Sequence, residues 1–433
     1  MSNKNLLQYA RYQVRKHSAV RTNEYIFSQL IPYIGNKRKL LPLITQGILH
    51  TGCDSGTFVD LFTGSTVVAR HAKSLGFRVV ANDWEPYSYE IARGTVAINR
   101  IPYFVSLGGV EEVFNTLNTL EPLHGYIAKH FCPRDDENPD HETERMFFTR
   151  RNGERIDAIR ERIAEWEDAK KISEDERAFL LSAFAYAISY ASNTSGVFKG
   201  FHNGWGGQTG TALYRIRGDL KLVPPVIFDN SQENIATRMD AQILAGDLST
   251  MIGSKPDIVY VDPPYNQHPY GSNYHVLNTA VLWDKPPLNP SIKVNGRKHD
   301  KSAIRKDWRT ERRSAYNTAK EALPAFRRLV HSIDARWLLV SYSTDGNMPL
   351  NGMLQVLADC GELHIFTHKY KRYRVSTQRM STKPHNIEFL AVLDMEQKSL
   401  KGRADALTEA ILREEEQALD ENSSDTTSQL TLF

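Results

Sequence analysis

Thiols are scarce in this chain of 433 residues: Cys53, Cys132 and Cys360 are the only cysteines, and none stands in a C-x-x-C spacing. An odd, scattered set of this kind argues against a disulfide framework and against a structural zinc site, and for a reducing compartment. The start of the chain is polar and basic through Arg21, without an apolar segment of signal or membrane-spanning length. There is no internal repeat and no G-x-G-x-x-G, so a nicotinamide-binding reading loses its main support. These absences lead to the expectation of a cytoplasmic protein.

Excess charge of one sign is also nearly missing, since the formal net charge is only +3. Its distribution is uneven. Leu412 to Phe433 holds the single base Arg413 against Glu414, Glu415, Glu416, Asp420, Glu421 and Asp425, which leaves the body of the chain at +8. Positive charge gathers in Lys293–Arg313 and in His368–Lys383, the latter with Tyr370 and Tyr373 between its bases and no acid. Basic residues interleaved with aromatics suit phosphate contact, and solvated loops account for either stretch equally well.

The most telling residues are Asp262, Pro263, Pro264 and Tyr265, directly behind the apolar run Ile258–Val261. Two prolines end such a run sharply, because proline lacks a ladder donor and restricts the residue before it. The result is a stiff corner at the carboxyl end of a strand, where open α/β sheets bind their ligands. An exocyclic amine of adenine is a poor nucleophile because its lone pair is spread into the ring. Asp262 can accept one of its N–H groups and the Pro263 carbonyl the other. Tyr265 offers a flat face for a purine, a stacking worth about 1–3 kcal/mol per base.

Upstream, Thr57–Phe62 reads as a buried strand that passes through Thr63, Gly64 and Ser65 into a helical stretch, Val67–Leu75. Glycine at such a turn lets a cofactor approach the backbone. Arg78–Asn82 reads as a second strand ending at Asp83, an acid placed to accept from ribose hydroxyls. Asp60, within an apolar strand, favours a functional partner over an unpaired burial. Locally, Asp83 and Asp247 serve equally well as caps.

In order, Tyr33-Ile-Gly35-Asn-Lys37, then Asp60, Phe62 and Gly64, then Asp83, then Gly246 and Asp247, then Asp262–Tyr265 resemble the motifs of Dam-like N6-adenine DNA methyltransferases with the cofactor half first. The similarity runs from about Tyr25 to Leu393 and is nearer to modification methylases of restriction systems than to small housekeeping enzymes. The resemblance implies S-adenosylmethionine as cofactor, double-stranded DNA as substrate, base flipping before direct methyl transfer, no metal, and a separately acting cognate endonuclease as a possible partner. By the same resemblance, Tyr33, Gly35 and Lys37 flank the methionine end of the cofactor, with Lys37 toward its carboxylate. Asp60 takes the α-amino group, Phe62 and Gly64 lie against the cofactor, Asp83 takes the ribose, and Asp247 takes the cofactor's adenine amine. The family often has a second glycine where this chain has Thr66.

The implied architecture is α/β: a Rossmann-like, mostly parallel sheet closed by an antiparallel pair (Leu363–His368 with Ile387–Leu393), carrying a mainly helical insertion for target recognition. The expected organisation is a cofactor half over 22–109, the insertion over 110–240, the Asp-Pro-Pro-Tyr half over 241–395, and a helix with an acidic disordered tail over 396–433. In the insertion, Ser173 with Glu176 forms a capping box before Ala178–Ser192, and the glycine-rich Asn193–Gly210 is a loop, either lying on DNA or forming a tight interlobe connection. Two other readings stand beside this one: a methyltransferase acting on RNA adenine or a protein amide, and a noncatalytic DNA-binding specificity module. Amide methylation usually has Asn where this chain has Asp262.

Overall fold

The computed structural model describes residues 19–210, 212–294, 297–298, 300–371, 385–420 and 427–430. Strands β1 (Thr57–Asp60), β2 (Arg78–Asn82), β3 (Ile235–Thr237), β4 (Ile258–Val261), β7 (Trp337–Ser343), β8 (Glu362–Lys371), β9 (His385–Asp394) and β10 (Thr427–Leu430) form one sheet of eight. The short strands β5 (Lys293–Val294) and β6 (Arg297–Lys298) pair separately. The order in the main sheet is β10-β8-β9-β7-β4-β1-β2-β3. Neighbours from β7 to β3 are parallel, while β9 pairs antiparallel with both β7 and β8.

The central strands β1, β4 and β7 are buried along their whole length and mostly apolar, because both faces are covered. Along β4 the side chains alternate between two cores: Ile258 and Tyr260 pack with Phe58 and Val79, whereas Val259 and Val261 pack with Val59, Leu338 and Phe326. A third core belongs to the insertion. It joins Phe179–Ile188 of the helix Glu174–Ala191 to Ile159 and Ile163 of the helix Arg150–Asp168, and to Tyr87, Ile91 and Tyr274–Val281, which flank the main sheet. The capping box at Ser173 and Glu176 is formed in both directions. Gly94 lies under that helix, where a Cβ would stand 2.3 Å from the Ala178 carbonyl oxygen.

Two boundaries differ from expectation. The insertion was expected to run to residue 240, yet Ile235–Thr237 is already the sheet's edge strand, in register with Val80–Asn82. With three residues it is too short to show a period. The acidic tail was expected to be disordered, yet Thr427–Leu430 pairs antiparallel with Ile365–His368. This backbone ladder covers an open edge whatever the side-chain composition. Residues 372–384, which hold most of the second basic stretch, and 421–426 of the tail lie outside the described residues.

Candidate active site

The parallel strands β1 and β4 are neighbours from which the chain leaves in opposite directions across the sheet, so a crevice opens at their carboxyl ends. A cavity of about 230 Å³ occupies this position. Tyr33, Gly35, Lys37, Phe62, Asp83 and the whole Asp262–Tyr265 corner line it.

Lys37 is almost wholly buried, and its ammonium is held 2.8 Å from Asp262 Oδ2 and 2.8 Å from the Gly35 carbonyl. It also stands 4.7 Å from the centre of the Tyr265 ring. Burial pushes the Asp262 carboxyl above the usual carboxylate range, and the Lys37 charge opposes that push. The second oxygen, Oδ1, and the Tyr265 hydroxyl are both buried without a hydrogen bond of good geometry among the described residues, although the phenol stands close enough to help Lys37 hold the Asp262 carboxyl down. Tyr265 rests edge-on against Tyr342, ring centres 4.7 Å apart. Lys37 was expected to reach toward a cofactor carboxylate. Its buried charge is paired with Asp262, because an ammonium removed from water needs a counter-ion close by.

The Tyr33 ring stacks on Tyr270 and Tyr274, each 5.1 Å away. The Tyr274 hydroxyl accepts from the Ile34 amide, and the Tyr270 hydroxyl donates to the Ile34 carbonyl. Gly64, at φ +52°, makes room for this stack, since a Cβ there would lie 2.7 Å from the Tyr33 ring. Gly64 therefore does not line the cavity; it seats a side chain that does. Its amide donates to Asp83 Oδ2 at 2.8 Å, while Asp83 Oδ1 accepts from the Glu85 amide. Burial pushes the Asp83 carboxyl up and these amides hold it down. Asp60 is buried behind the cavity wall, its carboxyl pushed well up by burial and then by Asp262. Thr66 adopts the left-handed conformation, φ +70°, that a glycine would take at this turn without strain.

Asp247 is not at the site. It lies on the exposed face of the helix Ala241–Ile252, whereas Leu244, Ala245 and Leu248 face the core. Asp240 lines the cavity instead and caps this helix, accepting from the Gln242 amide at 2.8 Å. The sequence carried little signal for it, since the strand before Asp240 has only three residues and its helix cap resembles any other cap. Sequence reading also missed Tyr316, which meets Phe62 edge-on at 5.7 Å, and Glu85, Tyr270, Arg313 and Arg328, all in the lining.

A family description, D12 class N6 adenine-specific DNA methyltransferase, matches residues 33–321, which span the cavity wall from Tyr33 through Asp262 to Tyr316. The chain belongs to this family. Type II methyltransferase M.NlaIII of Neisseria lactamica is 29% identical over 84% of this chain and 98% of its own length. Modification methylase StsI of Streptococcus sanguinis is 30% identical over 79% of this chain, and Type II methyltransferase M.FokI of Planomicrobium okeanokoites is 30% identical over 84%. The chain spans only 48% and 53% of those two relatives.

In this methyltransferase part of the first basic stretch is spent internally. Arg305 pairs with Asp284 and Asp307, and Arg312 with Asp307 and with Glu85. These two guanidiniums hold the loop against the cavity and are withdrawn from the surface. Lys306 and Arg309 are exposed. The first part of the glycine-rich loop is packed, while Asn203, Gly204, Gln208 and Thr209 are exposed. Phe198 is buried against Phe147 and Phe148, the Phe198 amide donates to the Asn273 carbonyl, and Asn193 holds Met146, His202 and Gly206. Among the described residues no helix is long and apolar enough to cross a membrane.

Proposed function

We propose that this family member methylates N6 of an adenine extruded from a specific site in duplex DNA, with S-adenosylmethionine as donor, and that it protects DNA within a restriction-modification system. The observation that carries the reading is Asp262. One oxygen is tied to Lys37; the other is buried, unpartnered and part of a cavity wall shared with Pro263, Pro264 and Tyr265. An unsatisfied carboxylate oxygen in a polar cavity is costly unless a donor arrives, and the exocyclic amine of adenine is such a donor. The cofactor would supply a methyl group on a cationic sulfur. Its fit is supported by the donor set of the cavity: Asp83 for the ribose diol, Asp240 for the adenine amine, Phe62 and Tyr316 as apolar walls for the adenine, and Asp60 within electrostatic reach for the α-amino group. The adenine to be methylated would be received by the Tyr265 face and held by Asp262 Oδ1 and the Pro263 carbonyl. Most of the acceleration would come from positioning, with extrusion of the base costing a few kcal/mol.

The insertion over 110–234, together with exposed bases such as Lys306 and Arg309, would carry target recognition. Asp262→Ala is expected to lower methyl transfer to duplex DNA by at least about a hundredfold while cofactor affinity by calorimetry stays unchanged. Normal turnover in that variant would end the assignment. Transfer of radiolabel to RNA or protein in preference to duplex DNA would favour the other methyltransferase readings. N6-methyladenine at one sequence in the genome of an expressing host would support the site-specific one. The relatives' names, Type II methyltransferase and modification methylase, support the restriction-modification setting.

A further inference from the structure

Strand β9 runs antiparallel to β7, so its beginning lies at the edge where β7 and its parallel neighbour β4 end, next to Asp262. Ile387 and Phe389 turn into one core, and Leu390 and Val392 join the core that also holds Tyr260. Glu388 lies between Ile387 and Phe389 and therefore faces the side of the sheet that Tyr260 faces. Asp262 stands directly beyond the end of β4, at this same edge of the sheet. Glu388 is within electrostatic reach of Lys37, Asp262 and Asp345, and it acts in turn on Tyr260 and Tyr265. His368 stands opposite it on β8 and Ser343 on β7. Glu414 and Glu415 of the last helix bond to Thr367 and Thr344. Glu388 Oε2 is buried and meets no hydrogen-bond donor among the described residues. Asp262 pairs directly with Lys37, and both Glu388 and Asp60 lie within electrostatic reach of that ammonium and of the Asp262 carboxyl.

We propose that Glu388 is a positioning residue for methyl transfer: it sets how much of the Lys37 charge Asp262 receives, and so how strong an acceptor Asp262 Oδ1 is for the adenine amine. The inference rests on the reading of Asp262 given above. Burial pushes the Glu388 carboxyl up to about 7, with Lys37 opposing and Asp262 adding to the push. Below that pH Glu388 is neutral, Lys37 belongs wholly to Asp262, and Oδ1 is a weak acceptor. Above it Glu388 is ionised, its charge offsets part of the Lys37 field at Asp262, and Oδ1 becomes more basic.

The test is single-turnover transfer of labelled methyl from S-adenosylmethionine to genomic DNA lacking N6-methyladenine, from pH 5.5 to 9, for the full chain and for Glu388→Gln and Glu388→Asp. The wild-type rate constant is expected to rise about three- to tenfold through an inflection near neutral pH, the gain that a stronger acceptor supplies. Glu388→Gln, fixed in the neutral form, should hold the acid-limb rate across the range, with cofactor affinity unchanged. Glu388→Asp, which keeps the charge, should restore an inflection. The proposal is overturned by a wild-type profile without an inflection, by one that persists in Glu388→Gln, or by loss of rate in both variants together with loss of thermal stability. An active Asp262→Ala variant would instead remove the underlying reading, so the two failures are separable.

Discussion

At the scale of single residues the site is an exercise in burying charge with too few counter-ions. Asp262, Asp60 and Asp83 are all pushed upward by burial, and among the described residues the ammonium paired with the Asp262 corner is that of Lys37. Lys37 lowers the pKa of Asp262, so its removal raises it, and the ionised acceptor then exists only at higher pH. Lys37→Met is expected to reduce transfer at pH 7 at least about tenfold and to displace the rising limb of the pH–rate profile toward alkaline pH; an unshifted profile would show that the pair is only structural. The acids near β3 make a second contrast. Asp240→Ala should weaken cofactor binding about tenfold, the loss of one good hydrogen bond to a bound group. Asp247→Ala, on an exposed helix face, should leave affinity unchanged and stability within about 0.5 kcal/mol. Calorimetric titration of both variants separates them. The Asp262 corner was readable because proline, an apolar run and an acid leave their mark on consecutive positions. Asp240 was not, because its strand has three residues and its helix cap resembles any other cap.

At the scale of elements, strands and caps follow local rules, and contacts between elements do not. β2 occupies Arg78–Asn82, the span its apolar pattern indicates, and the Ser173 capping box forms as its spacing requires. Gly94 carried no such mark. It lies in a turn of π-helix, Arg93–Ala97, directly beneath Ala178 and Phe179. A methyl group at this position must force the helix Glu174–Ala191 outward, since the obstructing atoms belong to backbone. Gly94→Ala should cost about 2–3 kcal/mol, in the range of overpacked cores, and urea denaturation with an unchanged slope would measure it. The same helix supplies Glu176, which accepts from the Phe104 amide at 2.7 Å, and it aligns Arg177 with Glu90. The insertion is thereby fastened to the cofactor half through side chains that sequence alone reads as ordinary surface charge.

For the whole molecule, the shared core decides whether the insertion is a domain of its own. Tyr87 and Ile91 from the cofactor half, Phe184 and Ile188 from the insertion, and Val276 and Leu277 from behind the catalytic corner are all buried in one cluster. Removing the insertion would bare apolar surface that each half buries against the other, at roughly 25 cal/mol per Å². Equilibrium unfolding in urea should therefore show one transition, coincident by tryptophan fluorescence and far-ultraviolet circular dichroism. Two separated transitions would show an autonomous recognition domain. Charge at this scale was misread in part: Arg305 and Arg312 belong to an internal network with Asp284, Asp307 and Glu85, although the sequence shows only a basic run.

What the sequence by itself determined is the set of features that depend on neighbours along the chain: the central strands, the stiff corner at Asp262, the capped helix at Ser173, and the order of motifs that marks the family. The tertiary structure alone decided which acids share a cavity, that Lys37 answers to Asp262, that Gly64 exists to seat Tyr33, and that Glu388, more than a hundred residues beyond Asp262, comes within reach of the same charge. The physical reason is that backbone propensity and apolar period act over a few residues. Coulomb forces and packing act across space, and which residues they join is settled only when the strands have found their order in the sheet.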